Sequence, residues 1–257
     1  MIKVLLNGCK GRIGMTLCSM IESDDYNQTL QVCAGIDAVG GGHFPFPFYT
    51  DINDCDMPSD VIIDFSIARA VPGVIDYAVK TKTPLLICTT GLSDDTIEKI
   101  NEAAKVIPVF RSGNMSLGVN LLVNLIEKAV SVLGDAGFDI EIVERHHNQK
   151  IDSPSGTAYM LAEAANDAAN GKYEFVYGRR PEDYKKRGKN ELGIHSVRGG
   201  TIIGDHSIVF AGNDEVIELS HSAFSKNVFA QGAVKAAKFL VGKSPGLYSM
   251  KELMESE

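Results

Sequence analysis

The sequence has 257 residues, of which 44% are hydrophobic and 23% charged, so it can form a substantial core. Its 25 basic and 33 acidic side chains give a net charge of −8, which argues against a general nucleic-acid-binding protein, since such proteins present a basic surface to phosphates. No segment has the roughly 20 apolar residues of a membrane span, and the N-terminus does not resemble a signal peptide, so we expect a soluble cytoplasmic protein without a membrane partner.

The first hundred residues alternate between short apolar strands and amphipathic helices. The predicted strands are Ile2–Leu6, Leu30–Ile36, Val61–Phe65, Leu85–Cys88 and Ile107–Phe110. The predicted helices are Ile13–Ile21, Ala68–Val79 and Ile97–Ala104, the last with Ser93 as its N-cap. Almost wholly apolar strands that alternate with helices indicate a doubly wound parallel α/β sheet, Rossmann-like and covered on both faces.

A glycine-rich turn joins the first strand to the first helix. Its G-x-x-G-x-x-G pattern, Gly8 to Gly14, is a variant of the turn that binds pyrophosphate at a helix N-terminus. Asp37 ends the second strand 23 residues later, close to the roughly 20 expected of the acid that binds a ribose hydroxyl. Either feature alone also fits an ordinary turn, but together they favour a dinucleotide site.

Two later turns follow strands of the same predicted sheet. Cys88 to Gly91 follows the fourth strand, and Ser112 to Met115 follows the fifth. Ligands of open parallel sheets lie beyond the carboxyl ends of the strands, and small or hydroxyl side chains there leave room for a nicotinamide and its ribose. Taken separately, each turn is better explained by ordinary turn chemistry.

The composition changes after about residue 117. Here we predict, in chain order, a helix, a strand, a helix, three strands and a helix: Leu117–Leu133, Phe138–Glu144, Ala158–Ala169, Leu192–Val197, Ser207–Ala211, Glu215–Ser220 and Val228–Leu240. The basic segment Arg179 to Asn190 predicts a loop. Glycine and Asn/Asp in short connections favour hairpins, so we expect a second, α+β domain on an antiparallel or mixed sheet.

The segment between the predicted strand and helix of this domain carries the strongest chemical signal. His146, His147 and Lys150 fall within five loop residues, and Ser155-Gly156-Thr157 precedes an alanine-rich helix. Amide groups at a helix start and a lysine bind a carboxylate, and a histidine transfers protons near neutral pH. The sequence therefore predicts a site that binds a carboxylate and protonates an atom beside it.

A zinc site is the alternative reading of the two histidines, and the sequence disfavours it. Adjacent histidines point in different directions, and no H-x-x-x-H pair is present. All cysteines lie in the first third of the chain, are odd in number and form no C-x-x-C pair: Cys9, Cys18, Cys33, Cys55 and Cys88. We expect neither a metal site nor a disulfide framework.

Over essentially its whole length the chain resembles the dihydrodipicolinate reductase (4-hydroxy-tetrahydrodipicolinate reductase) family of the diaminopimelate route to lysine. The H-H-x-x-K-x-D-x-P-S-G-T-A run from His146 to Ala158 carries this resemblance most specifically. Further matching motifs are the glycine turn, Thr89-Thr90-Gly91, Gly113 to Asn120, Val197-Arg198-Gly199-Gly200 and Phe229 to Ala233. The resemblance implies a nicotinamide domain of residues 1–117 completed by 226–257, a substrate-binding and tetramerisation domain of 118–225, and a homotetramer.

The resemblance also implies roles for individual residues. His146 corresponds to the proton donor/acceptor, Lys150 to a second proton donor, and His147, Gly156 and Thr157 to substrate-binding residues. The implied cofactor contacts are Gly8, Cys9, Lys10, Gly11, Arg12, Ile13, Asp37, Cys88, Thr89, Thr90, Ser112, Gly113, Asn114 and Met115. Two positions depart from the family pattern, because Cys88 replaces a frequent glycine and Ala38 replaces an arginine of some members.

The implied reaction is the NAD(P)H-dependent reduction of an unsaturated cyclic dicarboxylate to tetrahydrodipicolinate, with hydride from nicotinamide and a proton from His146 or Lys150. We expect NADH to be preferred, because Asp37 would accept hydrogen bonds from both ribose hydroxyls and repel a 2′-phosphate. Lys10 and Arg12 could offset part of that repulsion, so NADPH should remain usable.

Two other functions use the same kind of fold. A different dehydrogenase is one, but a semialdehyde dehydrogenase needs a cysteine nucleophile in its second domain, and no cysteine follows Cys88. A non-catalytic nucleotide sensor is the other, and it would need neither His146 nor Lys150.

Overall fold

The computed structural model of the protein describes residues 1–23, 25–26, 28–180 and 185–256. The chain forms two compact units, one of Met1–Ser116 with Lys226–Glu257 and one of Leu117–Ser225. In the described parts of the chain, no helix is both long and apolar enough to span a membrane. Residues 181–184 of the predicted basic loop lie outside the described residues.

Seven parallel strands form the sheet of the first unit. They are β1 (Ile2–Asn7), β2 (Leu30–Ile36), β3 (Phe48–Tyr49), β4 (Val61–Asp64), β5 (Leu85–Ile87), β6 (Pro108–Arg111) and β12 (Gly246–Tyr248). Their order is β12-β6-β5-β4-β1-β2-β3, and every neighbouring pair is parallel. The predicted doubly wound sheet is thus confirmed. Strands β3 and β12 have only two and three residues, too few to produce an apolar run that sequence analysis detects.

The helices described in the first unit are α1 (Arg12–Glu22), α2 (Val71–Thr81), α3 (Asp94–Ala104), α6 (Asn227–Leu240) and α7 (Met250–Glu255). The predicted N-cap is confirmed, because the Ser93 side chain accepts a hydrogen bond from the Thr96 amide. The predicted start of the second helix at Ala68 is wrong by three residues. Residues 68–70 form a 3₁₀ turn there, and proline lies in the first turn of α2.

The second unit consists of α4 (Leu117–Leu133), β7 (Asp139–His146), α5 (Gly156–Ala168), β8 (Glu174–Tyr177), β9 (Glu191–Arg198), β10 (Gly204–Ala211) and β11 (Val216–Ala223). The strand order is β11-β10-β7-β9-β8. Strand β10 pairs antiparallel with β11 and β7, whereas β9 pairs parallel with β7 and β8. The sheet is therefore mixed, as predicted.

Strand β7 places polar side chains on the buried face of this sheet. Its residues alternate between buried and partly exposed, so Ile140, Ile142, Glu144 and His146 share the face that packs against the core. The placement of His146 in a loop is wrong: it is the last residue of β7, where it pairs with Arg198 at the end of β9. The histidine is consequently held by a sheet rather than by a turn.

Candidate active site

A buried histidine–glutamate pair ends strand β7. The Nδ1 atom of His146 lies 2.6 Å from Oε2 of Glu144, and the histidine is only 8% exposed. Glu144 itself has no exposed surface. A buried carboxylate is costly unless it is paired and hydrogen-bonded, so its other partners decide whether it is ionised.

Arg198 supplies the positive charge that Glu144 needs. Its two terminal nitrogens donate to the two carboxylate oxygens at 2.8 and 2.7 Å, and the Ser155 amide donates to Oε1 at 3.1 Å. Burial disfavours the ionised form, but the hydrogen bonds from Arg198 and His146 outweigh it and lower the pKa of Glu144 to about 2. Glu144 is therefore a carboxylate at neutral pH.

Helix α5 is hydrogen-bonded to this pair through its N-cap residue, Ser155. The Ser155 hydroxyl accepts from the Ala158 amide at 3.1 Å and lies 2.9 Å from Nε2 of His206. The His206 ring contacts the His146 ring edge-on, with centroids 5.1 Å apart. Burial, followed by repulsion from His146, lowers the pKa of His206 to about 4, so its imidazole is neutral at pH 7.

The loop between β7 and α5 positions Lys150 beside a carboxylate. The Lys150 ammonium donates to both oxygens of Asp152 at 2.8 Å, and this hydrogen bond lowers the pKa of Asp152. Arg198 donates to the backbone carbonyl of Asp152 at 2.7 Å. A continuous series of hydrogen bonds therefore joins Lys150, Asp152, Arg198, Glu144 and His146.

The three residues predicted to bind substrate lie in the same unit. His147 directly follows β7 and is partly exposed, and its carbonyl accepts from the Lys150 amide at 3.1 Å. Gly156 and Thr157 are the first two residues of α5, where helical amides and the positive end of the helix dipole favour an anion.

The glycine turn of the first unit is tight and leads directly into helix α1. Gly8 has a φ of +81°, and a Cβ there would lie 2.5 Å from the Phe65 carbonyl oxygen, so no larger residue fits. Helix α1 begins at Arg12 after Gly11, with no side-chain hydrogen bond capping it. The backbone of its first turn therefore faces the end of the sheet without a capping side chain.

Asp37 and Lys10 form hydrogen bonds with each other and with the loop that follows β2. The Asp37 carboxylate accepts from the amides of Lys10 and Val39, both at 3.1 Å. The Lys10 ammonium donates to the carbonyls of Val39, Gly40 and Gly41 at 3.0, 2.9 and 2.9 Å. Lys10 is thus bound to the backbone of this loop, whereas Arg12 is exposed.

The remaining predicted cofactor residues divide by burial. Thr90, Gly113 and Gly11 are exposed, and Ile13 and Ser112 are partly exposed. The side chains of the other residues are buried, and these residues are Cys9, Cys88, Thr89, Asn114 and Met115.

An additional carboxylate organises the ends of three strands. Asp64 is fully buried at the end of β4 and accepts from Asn7, Ser66 and Thr89, each at 2.6 Å. Asn7 is the last residue of β1, so its hydrogen bond to Asp64 joins β1 to β4. The order of the strands reverses between these two strands. Asp64 therefore connects the glycine turn to the turn at Thr89-Thr90-Gly91.

Sequence reasoning missed Glu144, Asp152, Arg198, His206 and Asp64 as site residues. The one local signal was charge within an apolar strand, since Asp64 ends Val61–Asp64 and Glu144 interrupts the alternation of β7. Arg198 and His206 carry no such signal, because they reach the site only through strand pairing. Among the described residues, no group of three or more His, Cys, Asp or Glu side chains is arranged to hold a metal ion.

Comparison with known proteins identifies a family over both units. Residues 2–115 match the family model for the N-terminus of dihydrodipicolinate reductase, and residues 118–254 match that for its C-terminus. The chain is 48% identical over 257 residues to the 4-hydroxy-tetrahydrodipicolinate reductase of Caldanaerobacter subterraneus subsp. tengcongensis, covering 99% of both chains. It is 44% identical over 256 residues to that of Clostridium perfringens, again with 99% of both covered.

Solved structures show the same fold. A dipicolinate-bound dihydrodipicolinate reductase from Paenisporosarcina sp. TG-14 superposes with a TM-score of 0.79 at 21% identity, covering 97% of both chains. GenD2 from gentamicin A biosynthesis, in complex with NAD, has a TM-score of 0.58 at 8% identity over 94% of this chain and 86% of its own.

Proposed function

The chain belongs to the dihydrodipicolinate reductase family, and from this membership we propose how its residues bind and protonate the substrate. It is an oxidoreductase that reduces 4-hydroxy-tetrahydrodipicolinate in the diaminopimelate route to lysine, with a nicotinamide dinucleotide as cofactor. Its cytoplasmic location stays a prediction.

The second unit binds a cyclic dicarboxylate in this proposal. The dipicolinate carried by the Paenisporosarcina enzyme is a planar ring with two carboxylates, which supports this class of ligand. His147, Lys150 and the N-terminal residues of α5, Gly156 and Thr157, hold the carboxylates and orient the ring.

His146 moves the proton. The carboxylate of Glu144 is hydrogen-bonded to Nδ1 of the His146 ring, so the transferred proton passes through Nε2. Lys150 is the second donor, and its hydrogen bonds to both oxygens of Asp152 keep the ammonium in place within the loop. The buried pair of His146 and Glu144 is the observation that carries the assignment, because an ordinary solvated histidine would not retain such a partner.

The first unit fits a dinucleotide. The tight turn at Gly8, where only glycine fits, and the uncapped start of α1 suit a pyrophosphate, and Asp37 suits ribose hydroxyls. Reduced nicotinamide supplies a hydride when it is bound. In this proposal the chain contacts it through the residues predicted from the sequence, among them Thr90, Ser112 and Gly113 after β5 and β6.

An assay coupled to the upstream synthase tests this function. That enzyme condenses pyruvate with aspartate semialdehyde, and oxidation of the nicotinamide is followed as its product is consumed. We expect oxidation that requires the synthase, both of its substrates and this protein. Oxidation that proceeds equally without aspartate semialdehyde would contradict the proposal.

We predict that NADH is preferred over NADPH. Asp37 places a negative charge where a 2′-phosphate would lie, and Lys10 is bonded to three carbonyls, which leaves Arg12 as the flexible cation of the turn. An exposed arginine is screened by salt, so the relative use of NADPH should fall as ionic strength rises. Steady-state kinetics with both cofactors at low and high salt measure this.

A charge variant sharpens the test. Asp37→Asn should raise kcat/KM for NADPH relative to NADH by about 10-fold, since one like charge at close range is removed. Asp76→Asn, which alters an exposed residue paired with Lys99, is the matched control and should leave the ratio unchanged. A strong NADPH preference that survives high salt would show that Asp37 does not face the ribose.

We further propose a homotetramer. One face of the mixed sheet packs on α4 and α5, while apolar side chains remain exposed elsewhere in this unit, among them Val197, Val216 and Phe224. Closed assemblies cover such surfaces. Light scattering at micromolar concentration should give about four times the 27.7 kDa of one chain, and a fully active monomer would contradict this proposal.

A further inference from the structure

Glu144 is held more firmly than a residue that merely fills the core requires. It has no exposed surface, and its donors include two Arg198 nitrogens at 2.7 and 2.8 Å, the Ser155 amide at 3.1 Å and the His146 ring at 2.6 Å. These donors come from β7, β9 and the start of α5, so the position of the carboxylate is determined from three elements.

The partners of Glu144 determine which nitrogen of His146 carries hydrogen. A carboxylate that binds arginine through both oxygens is ionised and only accepts hydrogen bonds. The short contact to Nδ1 of His146 therefore requires an N–H at that nitrogen. Proton exchange with another molecule is then confined to Nε2.

The opposite strand has a glycine, without a side chain, beside Nε2. A Cβ on Gly204, the first residue of β10, would lie 3.0 Å from Nε2 of His146 and 3.4 Å from its Cδ2. A larger residue would displace the ring. The edge of His206, anchored by Ser155 at 2.9 Å, contacts the same ring, so Glu144 holds one side of His146 while Gly204 leaves space at Nε2.

Resting on the proposed function, we propose that Glu144 is a positioning residue: paired with Arg198, it fixes the hydrogen of His146 on Nδ1 and presents Nε2 to the substrate. When Nε2 takes up a proton, the resulting imidazolium faces an ionised carboxylate at 2.6 Å and is stabilised. When Nε2 releases that proton, the neutral ring already has the correct tautomer.

A matched site on the other face of the same strand provides the control. Glu141 lies 2.6 Å from Nε2 of His195 and accepts from Arg187 at 2.8 Å, so it too is a glutamate with a histidine and an arginine. It differs in facing away from His146, because β7 alternates its side chains.

The experiment compares Glu144→Gln with Glu141→Gln in the coupled assay. We expect Glu144→Gln to lower kcat by about 10- to 100-fold while KM for the dicarboxylate changes less than about threefold, because glutamine cannot stabilise the imidazolium. Glu141→Gln should keep at least half of the wild-type kcat. An equal loss of kcat in the two variants would overturn the proposal.

A double-variant cycle with His146→Gln separates positioning from stability. If Glu144 acts through His146, adding Glu144→Gln to His146→Gln should lower kcat by less than about twofold further. A further loss as large as that in the wild-type background would overturn the proposal. An inactive wild-type enzyme would instead contradict the proposed function, so the two failures are distinguishable.

Gly204→Ala tests the same idea without altering Glu144, should the glutamine variant fail to fold. The added methyl group should lower kcat by about 10-fold by displacing Nε2, whereas Gly73→Ala, where a Cβ has open space in α2, should not change it. Unchanged turnover in Gly204→Ala would contradict the assignment of Nε2 as the reacting atom.

Discussion

Replacing Lys150 by alanine is expected to lower turnover by about 100-fold or more, the largest effect on activity that we predict. The residue has two proposed tasks, since it binds a carboxylate of the substrate and supplies a proton. Its side chain is 20% exposed and its ammonium is held by both oxygens of Asp152 at 2.8 Å. The charge is therefore already positioned in the free protein, and alanine removes both functions together.

Two further variants separate these tasks. Lys150→Arg keeps the positive charge but replaces the ammonium with a guanidinium that does not release its proton, so KM should stay close to that of the wild type while kcat remains low. His146→Gln should lower kcat less than Lys150→Ala if Lys150 can act in its place.

The control for Lys150 is a lysine with an equally short ion pair elsewhere. Lys99 lies 2.7 Å from Asp76 on the surface of the first unit, and Lys99→Ala should leave turnover and cofactor binding unchanged. Near-normal turnover in both Lys150→Ala and His146→Gln would mean that the proton comes from another group.

Arg198→Leu is expected to lower the free energy of unfolding by ~3–5 kcal/mol, the largest effect on stability. Glu144 has no exposed surface, and without Arg198 its charge would lose the guanidinium that contacts both of its oxygens. The loop between β7 and α5 would lose a hydrogen bond as well, because Arg198 also donates to the Asp152 carbonyl. Urea unfolding followed by circular dichroism measures the change.

Arg179→Leu is the matched control for this loss. Arg179 also pairs with a glutamate of β7, but Glu141 is 22% exposed and keeps contacts to His195 and Arg187. A partly solvated carboxylate tolerates the loss of one partner, so the decrease should be smaller than in Arg198→Leu. Equal losses in the two variants would contradict the special role of the buried charge.

The effect of Arg198→Leu should also depend on pH in a defined direction. The pKa of Glu144 is lowered from 4.5 to about 2 in the folded protein, so its contribution to stability is fully present above pH 4.5 and is lost as the pH falls towards 2. Without Arg198 the carboxyl group protonates more readily. The difference in stability between wild type and Arg198→Leu should therefore shrink below pH 4.5, and a constant difference would contradict this explanation.

Much of the fold follows from local sequence. The apolar strands of the first unit, the glycine turn after β1 and the Ser93 cap depend on periodicity, backbone freedom and a hydrogen bond between near neighbours, all of which can be read along the chain. The His146 to Ala158 run is likewise contiguous, so the carboxylate-binding and proton-transfer roles that we propose for it rest on neighbouring residues of the sequence.

Local sequence does not predict very short strands or contacts between residues that are far apart along the chain. Strands β3, β8 and β12 have two to four residues and exist because neighbouring strands pair with them. Lys10 was expected to be free to approach a phosphate, but the loop after β2 surrounds its ammonium with three carbonyls.

The sequence by itself determined the doubly wound sheet, the glycine turn after β1 and the segment that carries His146 and Lys150. Only the tertiary structure decided what holds His146. Arg198 lies 54 residues from Glu144, and it reaches the carboxylate because β9 pairs in register with β7 and places Arg198 beside His146. A buried charge needs a partner within hydrogen-bond distance, and that distance is set by strand pairing and helix packing rather than by separation along the chain.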